Sequence, residues 1–122
     1  MKIDAKKEIL SFQVIPTEAN SATPEMTFFI PSIFSGFDGH FPGQPVVPGI
    51  SQLLMAQVAI EKFYNKTMVI QSITRAKFIA QLSPEVSIKV VWKTKVSDEK
   101  TVYVCKLLVD SDIVSSFNLA MS

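Results

Sequence analysis

Alternation between apolar and polar side chains divides this chain into short strand-like runs around one dense apolar helix. Residues 8–15 set Leu10, Phe12 and Val14 against polar neighbours, the period of two that marks a half-buried strand. Residues 16–24 carry Asn20, Ser21 and two prolines, a loop composition. A second short strand is predicted over 26–30 and is stopped by Pro31. From Gly49 to Tyr64 the apolar positions, among them Ile50, Leu53, Leu54, Val58, Ile60 and Phe63, cover more than one narrow stripe. A helix that apolar is mostly buried. Pro48 stands at its opening, where a missing N–H costs nothing, and Asn65 and Lys66 end it.

Strands are predicted over 68–78, 85–95, 101–110 and 113–121. In the second of these, Val86, Ile88, Val90 and Trp92 alternate with Ser87, Lys89 and Lys93. Compact turns at Ser97-Asp98-Glu99-Lys100 and Asp110-Ser111-Asp112 make the last three strands an antiparallel meander. One buried helix against a long, curved antiparallel sheet is an α+β layout.

Residues 32–48 do not fit that pattern. Gly36, Gly39, Pro42, Gly43, Pro45 and Pro48 exclude a regular helix or a central strand. Yet Phe34, Phe37, Phe41, Val46 and Val47 give the segment too much apolar surface for a solvated connection. Such a loop is expected to pack against the body of the protein and to carry function. His40, the only histidine of the chain, lies in it. An imidazole is the side chain whose ordinary pKa lies nearest neutrality, so His40 is the first candidate for proton transfer.

Composition narrows the classes. The chain has 122 residues, 48% of them hydrophobic and 19% charged, which suits one domain over residues 1–122 with an ordinary packed core. The net charge is +1 and Arg75 is the only arginine, so the clustered cations of nucleic-acid binding are missing. Cys105 is the only cysteine; an internal disulfide or a cysteine zinc cluster is excluded, and within an apolar strand it is expected to be inert core. The charged start, with Lys2, Asp4, Lys6, Lys7 and Glu8, does not suit a secretory signal. The longest apolar stretch, residues 50–63, is interrupted by Gln52, Gln57, Glu61 and Lys62, and a membrane span needs roughly 20 apolar residues. A cytoplasmic protein is expected, with no membrane and no nucleic-acid partner.

The run Phe37-Asp38-Gly39-His40-Phe41-Pro42-Gly43-Gln44-Pro45-Val46-Val47-Pro48-Gly49 resembles the signature of the β-hydroxyacyl-acyl carrier protein dehydratases. Their pattern is Gly-His-Phe-Pro, two variable residues, then Pro-Val, an apolar residue and Pro-Gly opening the central helix. Lys77-Phe78 and Pro84 are similar to the family's strand after that helix, although Glu85 stands where a glycine is common. The resemblance implies a hot-dog fold, in which a sheet wraps one helix and two subunits pair edge to edge. It also implies an acyl thioester as substrate, carried on the phosphopantetheine of an acyl carrier protein or on CoA, with no further cofactor and no metal.

In that setting His40 takes the role of the base that removes the C2 proton. Gly49 offers a bare amide at a helix N-terminus, where unpaired N–H groups and a partial positive charge suit a developing oxyanion. Phe41, Pro48, Leu54 and Phe78 are the expected substrate-binding positions. Phe34, Phe37, Phe41 and Phe63 suit either core or tunnel lining, and Arg75 and Lys77 suit either a carrier-protein contact or a solvated face.

The acid departs from the pattern. The resemblance puts Glu or Asp on the partner's helix fourteen residues after the histidine, and position 54 is Leu54; a register one residue shorter gives Leu53. Neither donates a proton, and a missing general acid costs about 10²–10⁴ in rate. Asp38, Gln52, Gln57 and Glu61 are the nearby polar residues, and none stands in the required place. Three readings follow. The chain is a 3-hydroxyacyl thioester dehydratase, acting as a homodimer or higher homo-oligomer or completed by a carboxylate from a related chain in a heterodimer. Alternatively it is an acyl thioesterase, or a catalytically impaired subunit that binds the acyl carrier.

Overall fold

Residues 5–12, 14–15, 24–31, 49–83 and 85–122 are described by the computed structural model of the protein. The elements are α1 (Ala5–Leu10), β1 (Val14–Ile15), β2 (Glu25–Phe29), α2 (Gly49–Tyr64), β3 (Ile70–Phe78), β4 (Ser87–Ser97), β5 (Lys100–Val109) and β6 (Asp112–Met121). The strands form one six-stranded sheet in the order β1-β2-β4-β5-β6-β3, with every neighbouring pair antiparallel.

Alternation sets the two faces of this sheet. Phe28, Ile88, Val90, Trp92, Cys105 and Leu107 are all buried and pair across β2, β4 and β5. This face packs against α2, whose residues from Ser51 to Glu61 are buried except Leu54. The intervening positions, such as Lys89, Lys93 and Lys106, turn outward. The result is the hot-dog fold, α+β, with the central helix on the concave side of an antiparallel sheet.

The turns explain how the meander closes. Ser97 pairs with Lys100, and the two residues between them, Asp98 and Glu99, have φ of 50° and 63°. Positive φ at both central positions is the mirror-image turn whose twist matches the strands it joins. Asn65, with φ 55°, ends α2 in the left-handed conformation common after a last helical turn.

The first predicted strand is a correction. Residues 5–10 are helical, and only Val14 and Ile15 pair, with Phe28 and Thr27. Leu10 and Val14 alternate in sequence but are 41% and 38% exposed, whereas Ile9 and Phe12 are buried at a spacing of three. Contacts with α2 decide the outcome. Lys6 Nζ lies 3.1 Å from Glu61 Oε1, and Lys62 Nζ donates to the Leu10 carbonyl at 2.9 Å, neutralising an unpaired helix-end acceptor.

Glu85 has φ 59° and donates its N–H to the Ile30 carbonyl at 2.8 Å. A side chain with a Cβ is strained there by about 1 kcal/mol, which accounts for the glycine that the resemblance puts at this position. Glu85→Gly is therefore expected to stabilise the protein by about 1 kcal/mol, a rise of roughly 3–5 °C in Tm by calorimetry. A lower Tm would show that the Glu85 side chain contributes more than its backbone strain costs.

Among the described residues no helix is long and apolar enough to cross a membrane.

Candidate functional site

The site begins at the first residue of α2. A helix of sixteen residues leaves its first amides unpaired, and these face outward from Gly49. The bareness of Gly49 has a structural use that spacing alone does not reveal. A Cβ at this position would lie 3.0 Å from the Phe78 Cζ and 3.2 Å from its Cε1. The aromatic ring at the end of β3 thus rests directly on the helix start. Two of the expected substrate-binding and catalytic positions, 29 residues apart in sequence, meet here.

Phe78 is 49% exposed, so its ring can give way. Gly49→Ala is accordingly expected to displace the ring while changing stability by less than about 1 kcal/mol. Thermal unfolding tests this; a loss of several kcal/mol would mean that the ring is locked in place.

Leu54 is half-buried and packs on the edge of the core, one turn beyond Ile50, which is 63% exposed. These two residues lie on one side of α2 near its start. Leu53, the alternative register, is buried. Position 54 therefore suits a group directed away from its own core, and the residue there is apolar.

Among the described residues, β3 lies at the end of the sheet and pairs with β6 on one side only. Every residue from Gln71 to Phe78 is exposed. Val69, Ile73 and Ile79 add exposed apolar side chains to the same edge as Phe78. Exposed apolar side chains on an edge strand make a surface that proteins ordinarily cover or blunt with charge. Arg75 and Lys77 stand on it and, with Lys106, line an open depression on the outer face of the sheet.

The far end of α2 is fixed differently. Gln57 Nε2 donates to the Met68 carbonyl at 2.9 Å, and the Met68 N–H donates to Glu61 Oε2 at 2.7 Å. Both polar side chains are thus committed to joining α2 to the start of β3. Glu61 is therefore no substitute acid. Phe63 stands about 21 Å along the helix from Gly49, edge-on to Trp92 at 5.3 Å, and does not line the Gly49 end. Cys105 is fully buried, and burial pushes its thiol up to about 12, so it stays protonated and unreactive.

His40, Phe41 and Pro48, with Phe34, Phe37 and Asp38, lie outside the described residues. Among the described residues no group of three His, Cys, Asp or Glu side chains is placed to hold a metal ion.

Comparison with known proteins bears on this site. Residues 14–117 match the family model described as ApeI-like, ApeI dehydratase. No curated protein matches the sequence. Among solved structures, the chain is similar to the dehydratase heterocomplex ApeI:P from Xenorhabdus doucetiae, with a TM-score of 0.68 at 18% identity, covering 91% of this chain and 97% of that one. It is also similar to the PaaI protein of the E. coli phenylacetic acid degradation operon, with a TM-score of 0.67 at 14% identity, covering 96% and 86%. The TT0310 protein of Thermus thermophilus gives a TM-score of 0.64 at 14% identity, covering 98% and 97%. At these identities the structural likeness speaks for the fold.

Proposed function

The chain belongs to the ApeI-like dehydratase family, and on that footing we propose that it binds a 3-hydroxyacyl thioester and supplies the base half of a dehydration site. The observation that carries this reading is the bare helix start at Gly49 roofed by Phe78, on an edge strand left open for a second subunit. The substrate is carried on phosphopantetheine, either of an acyl carrier protein or of CoA, in a pathway of the fatty-acid or polyketide type.

Dehydration removes a proton from C2, moves charge onto the thioester oxygen and expels the C3 hydroxyl as water. His40 takes the C2 proton. The amides at the start of α2 hold the oxygen, where a preorganised donor is worth about 10²–10³ in rate. The hydroxyl needs a proton as it leaves, and Leu54 has none to give. A homodimer therefore dehydrates slowly. A heterodimer restores the reaction when a related chain pairs along β3 and brings a Glu or Asp from its own helix. The similarity to a chain of a dehydratase heterocomplex supports that arrangement.

A second reading has a specific motive. Hydrolysis of the thioester needs the same amides and a base but no acid at position 54, so the Leu54 side chain does not weigh against a thioesterase.

One assay separates the two. The purified protein is incubated with a 3-hydroxyacyl thioester and the products are weighed by mass spectrometry. The expected result is slow loss of water with the thioester intact, abolished by His40→Gln. Release of free thiol without loss of water would replace dehydration by hydrolysis.

A further inference from the structure

We infer that Ser115 is a positioning residue that holds the 3-hydroxyl of the substrate behind the Phe78 ring. This rests on the 3-hydroxyacyl thioester reading of the site and names the group that selects that substrate over a plain acyl chain.

On β6 the helix-facing positions Phe117 and Leu119 are apolar and buried, and Ser115 continues the same series with 0% exposure. Its Oγ has no hydrogen-bond partner among the described residues. Burying a hydroxyl unpaired costs about 1–3 kcal/mol, whereas an alanine there would cost nothing of the kind. A buried polar atom left in this state calls for a physical reason.

Its neighbours supply one. Ser115 pairs directly with Phe78 on β3 and with Leu107 on β5. Residues directly opposite on antiparallel strands point to the same face, with Cβ atoms about 4.5–5.5 Å apart. Ser115 and Phe78 therefore stand side by side beneath α2, and the tip of the Phe78 ring reaches Gly49. From the helix start inward, the order is unpaired amides, aromatic ring, unpaired hydroxyl.

Phe78 is half-exposed and can rotate about its own side-chain bonds, so a ring turned from Gly49 opens a way between the amides and Ser115. An acyl thioester entering there meets two polar points. Its carbonyl oxygen goes to the amides of α2, and an oxygen further along its chain goes to Ser115. A hydroxyl both donates and accepts, which matches an alcohol on the substrate and gives nothing to a methylene. A site with a buried group placed for a hydroxyl rejects the analogue that lacks it, because the protein group then stays unpaired.

The test is a binding titration of the full chain and of Ser115→Ala with two CoA thioesters of equal length, one 3-hydroxylated and one saturated. The native protein is expected to prefer the hydroxylated thioester by about tenfold, the worth of one hydrogen bond. Ser115→Ala is expected to lose that preference, to bind the saturated thioester unchanged and to unfold no earlier, since it removes an unpaired group. An unaltered preference in Ser115→Ala would overturn the assignment. Equal binding of both thioesters by the native protein would overturn it too, while leaving acyl-thioester binding intact. Binding of neither would overturn both.

Discussion

Leu54→Glu is expected to raise the dehydration rate of the unmixed protein by about 10²–10⁴, the usual worth of a general acid. Position 54 is half-buried at the margin of the core, one turn from the 63% exposed Ile50, so a carboxylate there can reach beyond its own core. On the proposed reading, the new Glu supplies the acid that a partner's helix would otherwise have to bring. Leu54→Gln has the same shape without a transferable proton and is expected to gain nothing. The comparison of the two variants, measured as water lost from a 3-hydroxyacyl thioester, isolates the proton from any effect of polarity. A gain with both would mean that position 54 acts by solvation.

Trp92→Ala is expected to destabilise the protein by about 3–5 kcal/mol, the range for removing a large aromatic side chain from a core. Trp92 is buried and holds the C-terminal end of α2. Its ring meets Phe63 edge-on at 5.3 Å and Tyr64 at 6.4 Å, and its Nε1 donates to the Tyr64 hydroxyl at 3.4 Å. The C-terminal end of the helix is thus clamped to the sheet by aromatics, while Phe78 rests on its first residue. Loss of the clamp is expected to loosen the whole helix, and with it the placement of Gly49 and Leu54. Denaturant unfolding followed by circular dichroism measures the change. A loss under 1 kcal/mol would show that the cluster is redundant.

The sequence reading and the structure agree where side chains alone determine the outcome. The helix from Gly49 to Tyr64 is dense in apolar residues, and most of its positions are buried. The meander of β4, β5 and β6 follows from strict alternation between turn residues, and its boundaries move by at most two positions. Agreement ends where a distant contact decides. Leu10, Phe12 and Val14 alternate like a strand, but Glu61 and Lys62, some fifty residues away, hold the segment as a helix. No periodicity encodes that pairing.

The site follows the same division. His40, Gly49 and Leu54 were named as candidates by a contiguous motif and a fixed offset from it. His40, Phe41 and Pro48 still rest on that motif, since they lie outside the described residues. Phe78 was an expected substrate-binding position, but its contact with Gly49 spans the helix and most of a strand, and no local pattern encodes it. Ser115 gave no signal at all. A serine in a strand looks like any other polar position until its register with Phe78 and Leu107 turns it inward. The exposed apolar residues of β3 were read as an ordinary strand, because alternation does not tell which strand lies at the edge of the sheet.

The division of base and acid between two chains is tested most directly by titrating this protein with a hot-dog chain that carries Glu or Asp on its helix but has its own motif histidine replaced by Gln, and following water loss from a 3-hydroxyacyl thioester. The rate is expected to climb to a plateau at equal amounts of the two chains, and to vanish with His40→Gln in this one. Full dehydration by this protein alone, with nothing gained on mixing, would contradict it.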